Sequence, residues 1–87
     1  MAKFAIQTTK QFDEDYEYWQ KTDAKIIAKI NQLLVAIETD PFGGIGKPEP
    51  LRHRAHCWSR RITKDHRLVY HVDKGAITFQ QCRYHYR

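Results

Sequence analysis

Eighty-seven residues, 41% of them hydrophobic and 13% aromatic, suffice for one small packed core and not for two, so residues 1–87 are expected to form a single domain. The chain has only 4 glycines and 3 prolines and no long apolar run, which argues against disorder, a transmembrane helix or a signal peptide, and points to a cytoplasmic protein with no membrane partner. The net charge of +5 is unevenly spread: residues 1–43 carry five Lys/Arg and seven Asp/Glu, net −2, while residues 44–87 carry ten and three, net +7, together with all five histidines.

In chain order, Phe4-Ala5-Ile6 predicts a brief strand, and Thr8-Thr9 a helix cap. From Lys10 the spacing is helical, with Phe12, Tyr16 and Trp19 on one stripe and Asp13, Glu14, Asp15 and Glu17 near the helix start, where acids suit the dipole. Thr22-Asp23 offers a second cap, after which Ile26, Ile27, Ile30, Leu33, Leu34 and Ile37 recur with the period of an inward-facing helix that ends at Asp40-Pro41. The loop that follows, 42–50, has three glycines beside Lys47, yet it lacks the spacing of a phosphate loop. A short strand is expected at 51–54, then strands at 58–63, 66–72 and 76–86 separated by Lys64-Asp65 and Asp73-Lys74-Gly75 turns. The order predicts an α+β fold: a short N-terminal strand and two helices packed on one face of a small twisted, mainly antiparallel sheet.

If the last three strands form a meander, the end of the first, the start of the second and the end of the third meet at one edge. That edge collects Arg60, Arg61, His66, Arg67, Arg83, His85 and Tyr86. With period two, Ile77, Phe79, Gln81, Arg83 and His85 are expected to share a face. Cations and an imidazole gathered in this way suit cleavage of RNA by its own 2′-hydroxyl. Such cleavage needs a base for that proton, positive charge for the phosphorane and an acid for the departing 5′-oxygen.

Glu49, held between Pro48 and Pro50, is the only acid between Asp40 and Asp65 and is the candidate base; its other reading is a salt-bridge partner that steadies the loop. Arg61 and Arg67 are candidate phosphate clamps, or solvated strand residues. His85 is the candidate acid, or a half-buried polar residue near the terminus. The cysteines and histidines lack the paired spacing of a zinc site, so no metal or cofactor is expected, and Cys57 and Cys82 read as free thiols.

Five blocks in order, Tyr16-Glu17-Tyr18-Trp19, Gly46 to Leu51, Trp58 to Thr63, His66 to Tyr70 and Cys82-Arg83-Tyr84-His85-Tyr86, resemble the YoeB/Txe type of toxin in the RelE/ParE superfamily. The resemblance implies a RelE-like fold and a ribosome-dependent endoribonuclease that cuts mRNA in the decoding site and so inhibits translation. It implies Glu49 as general base, Arg67 as transition-state stabiliser and His85 as general acid. Arg52, Arg61, Arg83 and Tyr86 would bind substrate, and a 2′,3′-cyclic phosphate and a 5′-hydroxyl would be left.

The partners it implies are a cognate antitoxin, acidic where it covers the +7 half, the ribosome and mRNA, and a second copy in a homodimer. Two departures stand out: Arg54-Ala55-His56-Cys57 is one residue shorter than the family's glycine-containing turn, and Arg87 is an added terminal cation. A gyrase-poisoning toxin of the same superfamily and a basic RNA-binding module are the competing readings; both leave Glu49, Arg67 and His85 without a joint purpose.

Overall fold

The computed structural model describes residues 3–85. β1 (Ala5–Thr8) leads into α1 (Lys10–Thr22) and α2 (Ala24–Thr39); β2 (Glu49–Pro50), β3 (Cys57–Thr63), β4 (His66–Asp73) and β5 (Ala76–Gln81) follow. The strands form one five-stranded sheet in the order β1-β5-β4-β3-β2. β1 runs parallel to β5 and every other pairing is antiparallel. None of the described helices is long and apolar enough to cross a membrane.

Capping residues start and stop the helices where the sequence predicts. The Thr9 hydroxyl accepts the Phe12 amide at the start of α1. Asp23 serves both helices: its backbone N–H donates to the Trp19 carbonyl to close α1, while its carboxylate accepts the Lys25 and Ile26 amides to open α2. Phe12 and Trp19 of α1 and Ile30, Leu33 and Ile37 of α2 pack against Ile62, Leu68, Tyr70, Ile77 and Phe79 of the sheet. Complete burial of such side chains contributes about 1.5–3 kcal/mol each, which is what holds both helices on the same sheet face.

Four local expectations change. Residues 51–54 are a turn; the ladder is instead Glu49 opposite Ser59 and Pro50 opposite Trp58, after which the Leu51 amide bonds to Cys57 O and the Cys57 amide to Arg54 O, closing the loop. In that turn His56 takes φ 62°, a left-handed conformation glycine would adopt without strain.

The last strand ends at Gln81 because α1 takes over the next peptide: the Trp19 indole donates to Cys82 O at 2.8 Å and the Cys82 amide donates to Asp15 at 3.0 Å. A register shift between Val69 and Tyr70 sets Gln81 opposite Val69 and Phe79 opposite Tyr70, leaving Gln80 as the extra residue of a bulge. Phe79 and Cys82 therefore face the helices while Gln81 faces away, so the single face expected for Ile77 to His85 does not exist.

Arg60, the fourth case, is not an edge cation at all. It is fully buried, its Nε donating to the Tyr70 hydroxyl (3.1 Å) and its terminal nitrogens to Ile45 O (2.9 Å) and Asp40 O (2.6 Å). Tyr70 in turn donates to Pro41 O, and the Arg61 amide to Gly46 O. The loop between α2 and β2 is thus wound around one guanidinium. At Gly46 (φ +84°) an added Cβ would stand 2.7 Å from a Leu33 methyl, so only glycine fits.

Candidate active site

The sheet face turned away from the helices carries the site. Cross-strand partners share a face, so Glu49, Ser59, Val69 and Gln81 form one row across β2, β3, β4 and β5, beside the pair Arg61 and Arg67. The Arg67 side chain, only 12% exposed, donates through Nε to the Ser59 hydroxyl (2.9 Å) and through a terminal nitrogen to Glu49 Oε1 (3.3 Å). Glu49 itself is open, its side chain 59% exposed, because two flanking prolines carry it along the sheet edge rather than under it. A carboxylate on which a proton can land therefore touches an arginine that is locked in place by a buried serine.

Arg61 lies directly across from Arg67 and is exposed. Two like charges side by side repel each other unless an anion lies between them, and phosphate is the anion whose oxygens match two guanidinium forks. Arg52 is exposed in the turn after β2, where Glu49, Pro50, Leu51, Arg52, His53 and Arg54 line a cleft of about 490 Å³. That cleft opens beside the Glu49 carboxylate. Among the described residues no three of His, Cys, Asp and Glu gather as metal ligands would, and the buried Cys57 and Cys82 form no disulfide.

The third member arrives by the backbone. The Arg67 amide donates to Tyr84 O at 2.8 Å and the Tyr84 amide donates to His66 Nδ1 at 2.7 Å, so the turn after β5 is tied to the first residues of β4. His85 follows this tie at once and is exposed. Glu49 touches the Arg67 side chain, the Arg67 backbone holds Tyr84, and His85 is the next residue. Arg83 stacks on two tyrosines at this turn: its guanidinium carbon lies 3.5 Å from the centre of the Tyr18 ring on α1 and 4.7 Å from that of Tyr84. Tyr86 lies outside the described residues.

Ser59 and Asp15 escaped the sequence reading. Ser59 alternates with Cys57 and Arg61 on one strand face, which places its hydroxyl beside the arginines. Asp15 was grouped with the helix-start acids, yet it shares the Phe12 and Trp19 stripe, is buried, and holds the peptide of Cys82.

Burial lowers the pKa of the His66 imidazole, with Arg83 and His85 pushing the same way and Asp65 and Asp15 opposing. Its neutral form is also the one that can accept the Tyr84 amide at Nδ1. Because the folded protein binds this proton less readily than the unfolded chain, acid favours unfolding. The contribution of His66 is complete above its ordinary value of about 6.5 and is lost as pH falls through the lower folded value. His66→Asn, which keeps an acceptor oxygen but does not titrate, should show a smaller fall in Tm between pH 7 and 5 than the unaltered protein. Equal falls would show that His66 does not carry the pH dependence.

Residues 8–86 match the family model described as YoeB-like toxin of bacterial type II toxin-antitoxin system. The Toxin YoeB of Escherichia coli strain K12 is 53% identical over 74 residues, which cover 84% of this chain and 88% of that protein. Among solved structures, the YoeB/ParE toxin from Agrobacterium tumefaciens superposes with a TM-score of 0.91 at 45% identity, covering 95% of this chain and 100% of that one. The YoeB dimer and the YoeB-YefM complex from Staphylococcus aureus give TM-scores of 0.87 and 0.83 at 45% and 44% identity, each covering 98% of this chain and 100% of theirs.

Proposed function

Since the chain belongs to the YoeB-like toxins of bacterial type II toxin-antitoxin systems, we propose that it is a ribosome-dependent endoribonuclease acting on mRNA in the decoding site. The observation that carries the reading is the contact of Glu49 with Arg67 on the open sheet face, with the turn bearing His85 hydrogen-bonded to Arg67.

In the proposed reaction the Glu49 carboxylate takes the proton of a ribose 2′-hydroxyl. The freed oxygen forms a bond to phosphorus while the bond from phosphorus to the 5′-oxygen breaks. Arg67 and Arg61 hold the phosphate oxygens, where negative charge accumulates, and the His85 imidazolium gives its proton to the departing 5′-oxygen. The products are a 2′,3′-cyclic phosphate and a 5′-hydroxyl, and these side chains supply every proton transfer without a metal. Arg52, at the mouth of the cleft, and Arg83 and Tyr86, near His85 in sequence, take the role of substrate contacts. Ser59 keeps the Arg67 fork turned toward Glu49.

By the same reading the protein is cytoplasmic, forms a homodimer as the Staphylococcus aureus relative does, and is held in check by an antitoxin corresponding to the YefM of that complex. The antitoxin is acidic where it covers the basic half. End-group chemistry on messages from a treated translating extract tests the reaction. The new 5′ ends should accept label from polynucleotide kinase without prior phosphatase treatment. New ends that already carry phosphate, or intact messages, would contradict it.

A further inference from the structure

Tyr84 has φ 62°, a left-handed backbone that costs a residue with a Cβ about 1–2 kcal/mol and persists only where its surroundings fix it. Three groups do so. His66 Nδ1 accepts the Tyr84 amide and the Arg67 amide donates to the Tyr84 carbonyl. The third is Gln81, 3% exposed, whose side-chain amide donates to the carbonyls on either side of Tyr84: that of Arg83 at 3.2 Å and that of His85. The bulge at Gln80 is what turns Gln81 onto the site face; in a regular strand this side chain would lie with Phe79 among the helices.

From this geometry, and resting on the proposed role of His85, we infer that Gln81 is a positioning residue for the reaction. Its carboxamide folds the chain after β5 back onto the sheet and fixes where the exposed His85 imidazole stands. Among the described residues, the hydrogen bonds from His66 and Arg67 hold the turn at Tyr84, whereas Gln81 grips the carbonyl of His85 itself. An acid displaced by about 1 Å loses much of its effect, so the consequence is catalytic although Gln81 touches no substrate.

Gln81→Met keeps the length and volume of the side chain and removes both N–H donors. Hydrogen exchange reads the clamp itself: the Tyr84 amide should exchange at least about tenfold faster in the variant, while the Leu68 amide in the core is unchanged. Single-turnover cleavage on programmed ribosomes reads the consequence. The variant should cut an ordinary message about tenfold more slowly at saturating protein, with half-saturation and Tm unaltered. On a message with a bridging 5′-sulfur at the scissile linkage, where the thiolate departs without needing a proton, variant and unaltered protein should cut equally.

Gln81→Leu, which lacks those donors and carries no charge, should give the same pattern if the methionine variant folds poorly. Unchanged Tyr84 exchange overturns the inference whether or not messages are cut. So does a deficit of equal size on the oxygen and sulfur linkages. An unaltered protein that cuts neither message removes the ribonuclease reading, and the clamp is then judged by exchange alone.

Discussion

Alanine at His85 should lower message cleavage by about 10²–10⁴-fold and leave Tm essentially where it was, if His85 is the proposed acid. The first half of this result follows from the leaving group: an alkoxide departing from phosphorus without a proton is the costliest event in the sequence of bonds. The second half follows from exposure, since an open side chain contributes within about 0.5 kcal/mol to stability.

Arg67→Lys makes the complementary case. It keeps the charge, yet a lysine nitrogen cannot bond to Ser59 and face Glu49 and a phosphate together, as the guanidinium fork does. Its loss should be about 10²–10³-fold, the usual effect of removing one preorganised stabiliser of developing charge. Single-turnover rates on programmed ribosomes, with melting curves for each protein, check both. A lysine variant with full activity would mean that Arg67 acts only as a point charge.

Arg60→Met should be strongly destabilising, and its neighbour supplies the control. Arg60 is fully buried and satisfies the carbonyls of Asp40 and Ile45 and the hydroxyl of Tyr70. Removing it takes a donor from the buried Tyr70 hydroxyl and from the half-buried carbonyls of Asp40 and Ile45, at up to about 1–3 kcal/mol each before relaxation. A net loss of about 3 kcal/mol corresponds to a fall in Tm of roughly 12–24 °C for a domain of this size. Arg61→Met, one residue on but exposed, should cost less than about 0.5 kcal/mol while weakening cleavage through the phosphate. Thermal unfolding of the two variants side by side decides which arginine belongs to the fold. If they melt alike, the loop after α2 does not depend on the Arg60 guanidinium.

That contrast shows how far the sequence could be read. Period two already set Arg60 on the face of Trp58 and Ile62, an apolar face, so its burial was available from alternation; charge count alone hid it. The helices were legible because their caps and stripes are local features, down to Asp23 closing one helix and opening the next. Asp15 could have been found on the stripe between Phe12 and Trp19, but nothing local says that its carboxylate will bind the peptide of Cys82.

The bulge at Gln80 was not legible at all. Gln80-Gln81 reads equally well in either register, and the choice is made by tertiary contacts: Trp19 and Asp15 take the Cys82 peptide on one side while Val69 stays paired with Gln81 on the other. Because the bulge reverses which residues face the site, it decides that Gln81 rather than Gln80 supports the turn. For Glu49 the prolines signalled a restrained acid, whereas its contact with Arg67 depends on a two-residue pairing with β3 that no pattern in the loop announces. Glu49 and His85 are readable as candidate base and acid from the residues, and family resemblance implies their roles beside Arg67; the strand register sets Glu49 and Arg67 on one sheet face, while His85 follows a turn that is hydrogen-bonded to Arg67.

The most direct measurement of the central claim is the mapping of new 5′ ends on messages in a translating extract, with the unaltered protein and His85→Ala in parallel. Cuts should fall within codons held in the decoding site, vanish when ribosomes are kept off the message, and drop by about 10² or more with the alanine variant. Cuts of equal strength with both proteins, or intact messages with the unaltered one, would contradict it.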